Sequence, residues 1–372
     1  MATAPAARAP HYPQSDEPLC CCEYRDRHGH RATILGFFCA CDELDQAADG
    51  LLSGRGVSGS AVDELIAEID DRLRVPWFGG AWHIGVPGAL PWLLLPWLLL
   101  IGGISARCLL VCLAVTLPSL LWWHRRTLKL RRRTGLLYSW MLASLAYETC
   151  LYAIALRFGW LTQSNAATAA FATPLMLSQL LLLIIRRVDP TSVVAIADAD
   201  AATARTHRCA VCGVRVPRYD HYCAWVDAPI GAANHRAYLG FVAAMMGTCA
   251  IGSAQLIHAA GVDFSDAWRA NASSVLLSFG LYGMAIACAV CALLAHQLSL
   301  ILSGHTSFEA RRRGRRAAEA PDGDKPLPVP PSTSGGRVGS FLRQTAPLSA
   351  TLVAAWAGGG ASPPATAKDA TL

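Results

Sequence analysis

An Asp, a His and a Cys fall within four positions at Asp220-His221-Tyr222-Cys223, inside the stretch RYDHYCAWVDAPIG, residues 218–231. A thiol becomes a useful nucleophile when a base takes its proton or a cation stabilises the thiolate. His221 is placed in sequence to be that base, and Asp220 to hold the imidazole tautomer and stabilise the imidazolium that forms. Neighbouring positions do not guarantee contact, so the backbone must turn to bring the three together. Cys209-x-x-Cys212 lies just upstream, a spacing that suits a metal-binding turn.

The elements that must position this tetrad are apolar. The chain has 372 residues, 53% hydrophobic and 16% charged, where a soluble domain carries about a quarter charged residues. Six segments have the length and composition of membrane spans: 86–104, 108–124, 135–156, 166–186, 237–260 and 274–302. Pro87, Pro91 and Pro96 load the first of them, so the first pair equally suits a re-entrant hairpin. The expected architecture is an all-α polytopic membrane protein with a small cysteine-rich insertion between spans four and five.

Charge orients it. Arg125, Arg126, Lys129, Arg131, Arg132 and Arg133 crowd one loop; Arg186, Arg187, Arg205, Arg208, Arg215 and Arg218 lie in the insertion, and five arginines fall within 311–316. The opposite loops carry Arg107, Arg157 and Arg269, one each. Excess Lys and Arg marks the cytoplasmic side, which puts both termini and the insertion in the cytosol. The net charge of +6 is confined to these loops, so it argues for membrane lipid rather than nucleic acid as a partner. The compartment expected is the endomembrane system, Golgi or ER, or the plasma membrane.

These boundaries divide the chain into a cytosolic N-terminal region (1–85), spans one to four (86–186), the insertion (187–236), spans five and six (237–302) and a cytosolic tail (303–372). The N-terminal region carries Cys20, Cys21, Cys22, Cys39 and Cys41, a cluster open to metal binding or lipidation. The stretch 60–77 reads as one amphipathic helix stopped by Pro76. The tail, rich in Pro, Gly, Ala and Ser, reads as mostly disordered, and its apolar patch 348–357 is too short to span. Glu148, inside the third span, calls for a polar neighbour such as Gln179 or His296.

The insertion resembles the cysteine-rich domain of the DHHC protein S-acyltransferases, with DHYC in place of DHHC. The likeness continues through Trp225, Gly231, Asn234 and Tyr238, through Thr306–Glu309 (TSFE, similar to the family's TTxE), and through Asp189-Pro190-Thr191, similar to its DPG. EPLCCCEY (17–24) and DRLRVPW (71–77) are most similar to the subfamily numbered twenty-three in vertebrates. The resemblance implies a two-step transfer. Cys223 attacks the thioester of palmitoyl-CoA or another long acyl-CoA, and the acyl group passes to membrane-proximal cysteines of protein substrates. His221 acts as base, Asp220 orients it, and the chain lies in a cavity among the spans. Arg205, Arg208, Arg215 and Arg218 would meet CoA phosphates, although positive-inside charge explains them equally well.

The pattern also departs from the family, whose members hold two zinc ions on three-Cys, one-His sets. No Cys lies between Cys150 and Cys209, and Arg208, Arg215, Tyr222 and Pro229 stand at ligand positions. Cys209 and Cys212 remain as a remnant, and the implied metal content is fewer than two zinc ions. The second reading is therefore a catalytically silent membrane scaffold of the same family.

Overall fold

The computed structural model describes residues 19–26, 29–34, 70–129, 135–161, 164–193, 196–261, 271–319 and 334–357. Cys39, Cys41, Arg126, Lys129, Arg131, Arg132 and Arg133 lie outside the described residues or side chains, as do positions 60–69 of the expected amphipathic helix. The chain divides into two compact units, residues 1–90 and 91–372.

The first unit is built on two hairpins. Strand β1 (Glu23–Arg25) pairs antiparallel with β2 (Arg31–Thr33), and Glu23 binds Arg31 at 2.6 Å. Strand β3 (Arg74–Val75) pairs with β4 (Trp82–His83). The sequence expectation of a helix through residue 77 is corrected here: helix stops at Arg72 and the chain enters β3. Pro76 has no N–H to continue a helix, and Arg74 turns back to Asp71 and over the Tyr24 ring. Asp70 then caps the following helix, accepting from the Val86 N–H at 2.6 Å.

That helix, α1 (Val86–Gly102), leads to α2 (Ala106–Lys129), α3 (Leu136–Arg157) and α4 (Asn165–Arg187). After the insertion come α6 (His235–Ala260) and α7 (Asn271–Ser303), with α5 (Ala199–Ala204) inside the insertion. Among the described residues four helices are long and apolar enough to cross a membrane: α3, α4, α6 and residues 273–303 of α7. Helices α1 and α2 carry shorter apolar stretches, Val86–Gly102 and Arg107–Trp123.

Helix α6 packs against α7, α4 and α3. Its neighbours form one apolar cluster around Leu181, Ile185, Phe241, Val242 and Met245, which Cys223 joins, and a second around Leu99, Trp140, Tyr152 and Leu276. Pro96 has no N–H for the Trp92 carbonyl one turn earlier; the Tyr147 hydroxyl donates to that oxygen at 2.6 Å, so the proline is carried without an orphaned acceptor. Glu148 faces neither Gln179 nor His296. It points at a notch where a Cβ on Gly252 or on Gly283 would stand 3.0 Å from its Oε1.

Residues 320–333 and 358–372 of the tail lie outside the described residues; in the rest, where disorder was expected, helix α8 (Ser307–Glu319) is followed by α9 (Ser334–Arg343) and α10 (Leu348–Ala357), and this stretch buries Phe341, Ala346 and Ala355. Composition hid this because the contacts are made by a few residues spread among Gly and Ala, and they fall on the insertion.

Candidate active site

Between α4 and α6 the chain forms two small hairpins. Strand β5 (His207–Arg208) pairs with β6 (Arg215–Val216), and β7 (His221–Cys223) pairs with β8 (Ala228–Ile230). Residues i and i+2 of a strand face the same side, so β7 presents His221 and Cys223 together and turns Tyr222 away. Tyr222 sends its hydroxyl to Asp227, across the hairpin turn. The turn is held from the membrane side as well: Arg186, over the ring of Tyr138, donates to the Val226 carbonyl at 3.0 Å.

Two residues after β8 explain their place in the pattern. A Cβ on Gly231 would stand 2.3 Å from Val216 Cγ1 and 2.8 Å from the Pro217 carbonyl, so only glycine fits. Asn234 staples the same turn, accepting from the Gly231 N–H and donating to the Pro229 carbonyl, both at 3.0 Å. At the other end, Asp189 accepts from the Thr191 N–H at 2.9 Å and closes the turn that ends α4.

Of the catalytic set expected from sequence, Asp220 and His221 are in contact, Asp220 Oδ2 lying 2.6 Å from His221 Nδ1, and Cys223 shares the strand β7 with His221. Sγ of Cys223 is 4.0 Å from the Tyr238 hydroxyl, whose ring meets the imidazole edge-on. Asp220 is fully buried and takes donors from four directions. These are His221, the Ser307 N–H at 2.6 Å, the Ser307 hydroxyl at 2.9 Å and Gln297 Nε2 at 3.4 Å.

The electrostatics follow. Burial alone would raise the Asp220 carboxyl, but its donors hold it well below the usual carboxylate range. Burial would lower His221; the hydrogen bond to Asp220 and the charges of Asp220 and Cys223 outweigh it and push the imidazole up to about 9. Burial would raise the Cys223 thiol, and the charge of His221 brings it below its ordinary value instead. The arrangement favours a thiolate–imidazolium pair, the form in which a cysteine attacks a thioester.

Ser307 and Gln297 escaped sequence reasoning as site residues. The available signal was TSFE, which is a capping box for α8. Glu309 accepts from the Thr306 N–H at 3.0 Å, and Thr306 Oγ1 from the Glu309 N–H at 3.3 Å. The box fixes the first turn of the helix, and its free N–H and positive dipole end meet the Asp220 carboxylate.

The four arginines expected to meet CoA divide. Arg218 is corrected: it is 1% exposed, over the Phe341 ring and 3.1 Å from His235 Nδ1, with no face toward solvent. Arg205 commits its fork to Glu309, with Nε donating at 2.7 Å, and also donates to Gln344. Arg208 and Arg215 face each other across β5–β6 and are exposed.

Cys209 and Cys212 keep a knuckle-shaped turn: the Cys212 N–H points at Cys209 Sγ (3.4 Å), and the Gly213 N–H binds the Cys209 carbonyl. The surroundings do not fit a structural zinc, which needs four ligands. Val216, Tyr219, Tyr222 and Phe308 pack about the two thiols, and the His207 ring lies 4.4 Å from that of Phe308. Among the described residues the one group with three or more metal-type ligands is Cys20, Cys21 and Cys22.

A helical protein with apolar, membrane-length helices that carries an Asp–His pair and a buried cysteine on a short hairpin between two of them has the parts for thiol chemistry beside a membrane. Residues 199–313 match the family model of the DHHC palmitoyltransferases. The palmitoyltransferase ZDHHC23-B of Danio rerio is 28% identical over 60% of this chain and 66% of its own, and ZDHHC23 of Homo sapiens 25% identical over 60% and 70%. ZDHHC23 of Mus musculus is 26% identical over 60% and 66%. The match thus spans about two thirds of the length of these relatives. Residues 199–313 thus carry the likeness to the DHHC palmitoyltransferases, and the chain as a whole resembles the ZDHHC23 members.

Proposed function

We propose that the protein is a protein S-acyltransferase that moves a palmitoyl or similar long acyl group from acyl-CoA to cysteines of membrane-proximal proteins. The observation that carries this reading is the line of hydrogen bonds from Ser307 through Asp220 to His221, on the strand face that His221 shares with Cys223. In the first step the thiolate attacks the thioester carbon, the C–S bond to CoA breaks, and CoA leaves as a thiol. In the second, an acceptor thiol gives its proton to His221 and takes the acyl group, and Cys223 returns to its paired thiolate. Asp220 keeps the imidazole oriented throughout. The apolar cluster that Cys223 joins offers the acyl chain a water-free path, worth roughly 0.8 kcal/mol per methylene buried.

Arg208 and Arg215 are the arginines that stay exposed for CoA phosphates. The lost ligands of the insertion favour a silent scaffold, but the Asp220–His221 pair beside Cys223 and the apolar packing around Cys209 and Cys212 support the enzyme. We read α1 and α2 as a further pair of membrane segments, making six, with both termini and the insertion cytosolic in an endomembrane or plasma-membrane protein, because of the positive charge on those loops. Purified protein incubated with labelled palmitoyl-CoA is expected to take a hydroxylamine-sensitive label that Cys223→Ser abolishes. No label on folded wild-type protein would overturn the reading.

A further inference from the structure

The first unit ends in an aromatic tip. The loop joining β3 to β4 holds Trp77 and Phe78, and β4 begins with Trp82; they are 57%, 93% and 63% exposed. Their rings lean on one another, Trp77 within 6.3 Å of Phe78 and 6.0 Å of Trp82. Such a cluster is costly in water, and Trp at the boundary between water and lipid is where membrane proteins use it. Its position fits that boundary: the apolar helix α1 starts four residues after Trp82, with its first N–H held by Asp70 of the same unit.

Three cysteines are tied to this tip by the backbone. The Trp77 N–H donates to the Cys21 carbonyl at 3.0 Å, and the Ala81 N–H to the Glu23 carbonyl at 2.7 Å, so the turn of Cys20–Cys22 that leads into β1 lies alongside the aromatic loop. Cys20 and Cys21 are exposed and Cys22 half-exposed, and all three sulfurs lie within 4.8 Å of one another. A metal on these sulfurs would want a fourth ligand. Among the described residues the nearest carboxylate in sequence, Glu23, has its Oε2 engaged by the Cys20 N–H at 2.8 Å and by Arg31 at 2.6 Å. Accessible thiols held beside a lipid-seeking aromatic tip suit a different chemistry.

We propose that Cys20–Cys22 is an S-acylation site of this protein, seated at the lipid surface by Trp77, Phe78 and Trp82 and filled with long acyl chains. The proposal rests on the transferase reading of Cys223, which supplies the acyl thioester from this or a second copy of the chain. The acceptor thiol loses its proton to the donor's imidazole and its sulfur bonds the acyl carbon. The bond from that carbon to Cys223 breaks, and the proton remains with the released thiolate–imidazolium pair, so nothing is oxidised or reduced. Each added chain brings further membrane affinity, and two chains anchor a segment where one binds it only marginally.

The test is mass-spectrometric counting of hydroxylamine-sensitive acyl groups on the Cys20–Cys22 peptide and on the Cys223 peptide, measured separately in full-length protein isolated from membranes. Acyl groups are expected on both in the wild type. The Cys20→Ser/Cys21→Ser/Cys22→Ser variant should lose the first and keep the second, Cys223→Ser should lose both, and Trp77→Ser/Phe78→Ser/Trp82→Ser should lower the first several-fold with the second unchanged. Acyl on Cys223 with the triplet unmodified would overturn the inference and leave the transferase reading standing. Equal triplet acylation in Cys223→Ser would remove Cys223 as donor, and no acyl on either peptide would sink both readings. One zinc or copper ion per chain that disappears in the triple-serine variant, with no acyl on the triplet, would overturn the proposal in favour of metal.

Discussion

Ser307 donates twice to Asp220, through its N–H at 2.6 Å and its hydroxyl at 2.9 Å, across 87 residues of chain. The first turn of a helix that follows the last apolar span therefore sets the carboxylate that sets the imidazole. Arg205 extends this outward by clamping Glu309, the other end of the capping box. The insertion and the tail act as one positioning device.

Removing the hydroxyl alone separates positioning from folding. Ser307→Ala keeps the N–H donor and the helix, and loses one hydrogen bond to a charged group, on the order of 1.5–3 kcal/mol. Acyl-enzyme formation is expected to slow by roughly 10–100-fold on that account. Asp220→Asn, which offers His221 the wrong tautomer, should cost more, on the order of 10⁴-fold by analogy with other triads. Single-turnover labelling of Cys223 measures both; equal rates in Ser307→Ala and wild type would show that the hydroxyl does not act.

How much of this was legible in the sequence depends on distance along the chain. Asp220, His221 and Cys223 could be read because they are contiguous and their types carry the chemistry. Ser307 and Gln297 could not, because no local pattern tells which carboxylate a distant hydroxyl or amide will meet. Arg218 was misread for the opposite reason: charge reads as exposed, whereas this guanidinium is buried against Phe341 and His235. Strands of two or three residues have no period to detect, which hid the β3 turn inside an apparent helix. The long apolar helices were plain, because twenty-odd residues without charge leave few alternatives.

The pH profile should carry the signature of the pair. With Cys223 lowered and His221 raised to about 9, the thiolate–imidazolium form dominates between the two values. Labelling should therefore be near its plateau at neutral pH, fall on the acid side as the thiolate protonates, and fall again above about 9 as the imidazolium loses its proton. His221→Ala should move the acid limb up beyond that of an ordinary thiol, because burial then acts on Cys223 without the opposing charge of His221. For stability the sign is the same as for any raised base. The contribution of charged His221 is complete below the ordinary 6.5 and drains as pH climbs through about 9. Rates and thermal midpoints measured from pH 5 to 10 check both.

The packing around Cys209 and Cys212 predicts indifference to chelators. Where zinc holds such a loop domain, metal removal unfolds it. Here Val216, Tyr219 and Phe308 fill the space between the hairpin and α8. Treatment with a strong chelator is expected to leave Cys223 labelling within about twofold, with fewer than two zinc ions per chain by elemental analysis. Phe308→Ala, by contrast, removes a half-buried ring from this cluster and should destabilise by about 1–3 kcal/mol. Loss of labelling on chelation would place a metal in the fold after all.

Gly231 tests the close approach of the two hairpins. An added methyl meets Val216 Cγ1 at 2.3 Å and the Pro217 carbonyl at 2.8 Å, and the second is backbone that cannot rotate away. Gly231→Ala should cost about 1–3 kcal/mol by overpacking and displace β8 from β7. Both the thermal midpoint and Cys223 labelling should fall. A variant as stable and as active as wild type would mean that the hairpins have room to separate.

The tail makes the most far-reaching prediction, because composition marks it as dispensable and its contacts do not. Arg236, at the start of α6, donates to Thr345 Oγ1 at 2.9 Å, to the Thr345 carbonyl at 3.0 Å and to the Leu342 carbonyl. The Ala346 N–H binds the Ala232 carbonyl at 2.9 Å, and Phe341 covers Arg218. The segment 341–346 thus closes over the backbone immediately after Gly231, while α10 packs on α4 and α6 beneath it. Truncation after Glu319 strips the cover from Arg218 and His235 and leaves buried donors without partners, so it should lower both the thermal midpoint and Cys223 labelling even though every catalytic residue remains. Arg236→Ala isolates the latch from the rest of the tail: it removes a charged donor from three acceptors, about 1.5–3 kcal/mol, and should reproduce part of the truncation's loss. Full activity in the truncated protein would show that the tail only rests on the site and does not hold it.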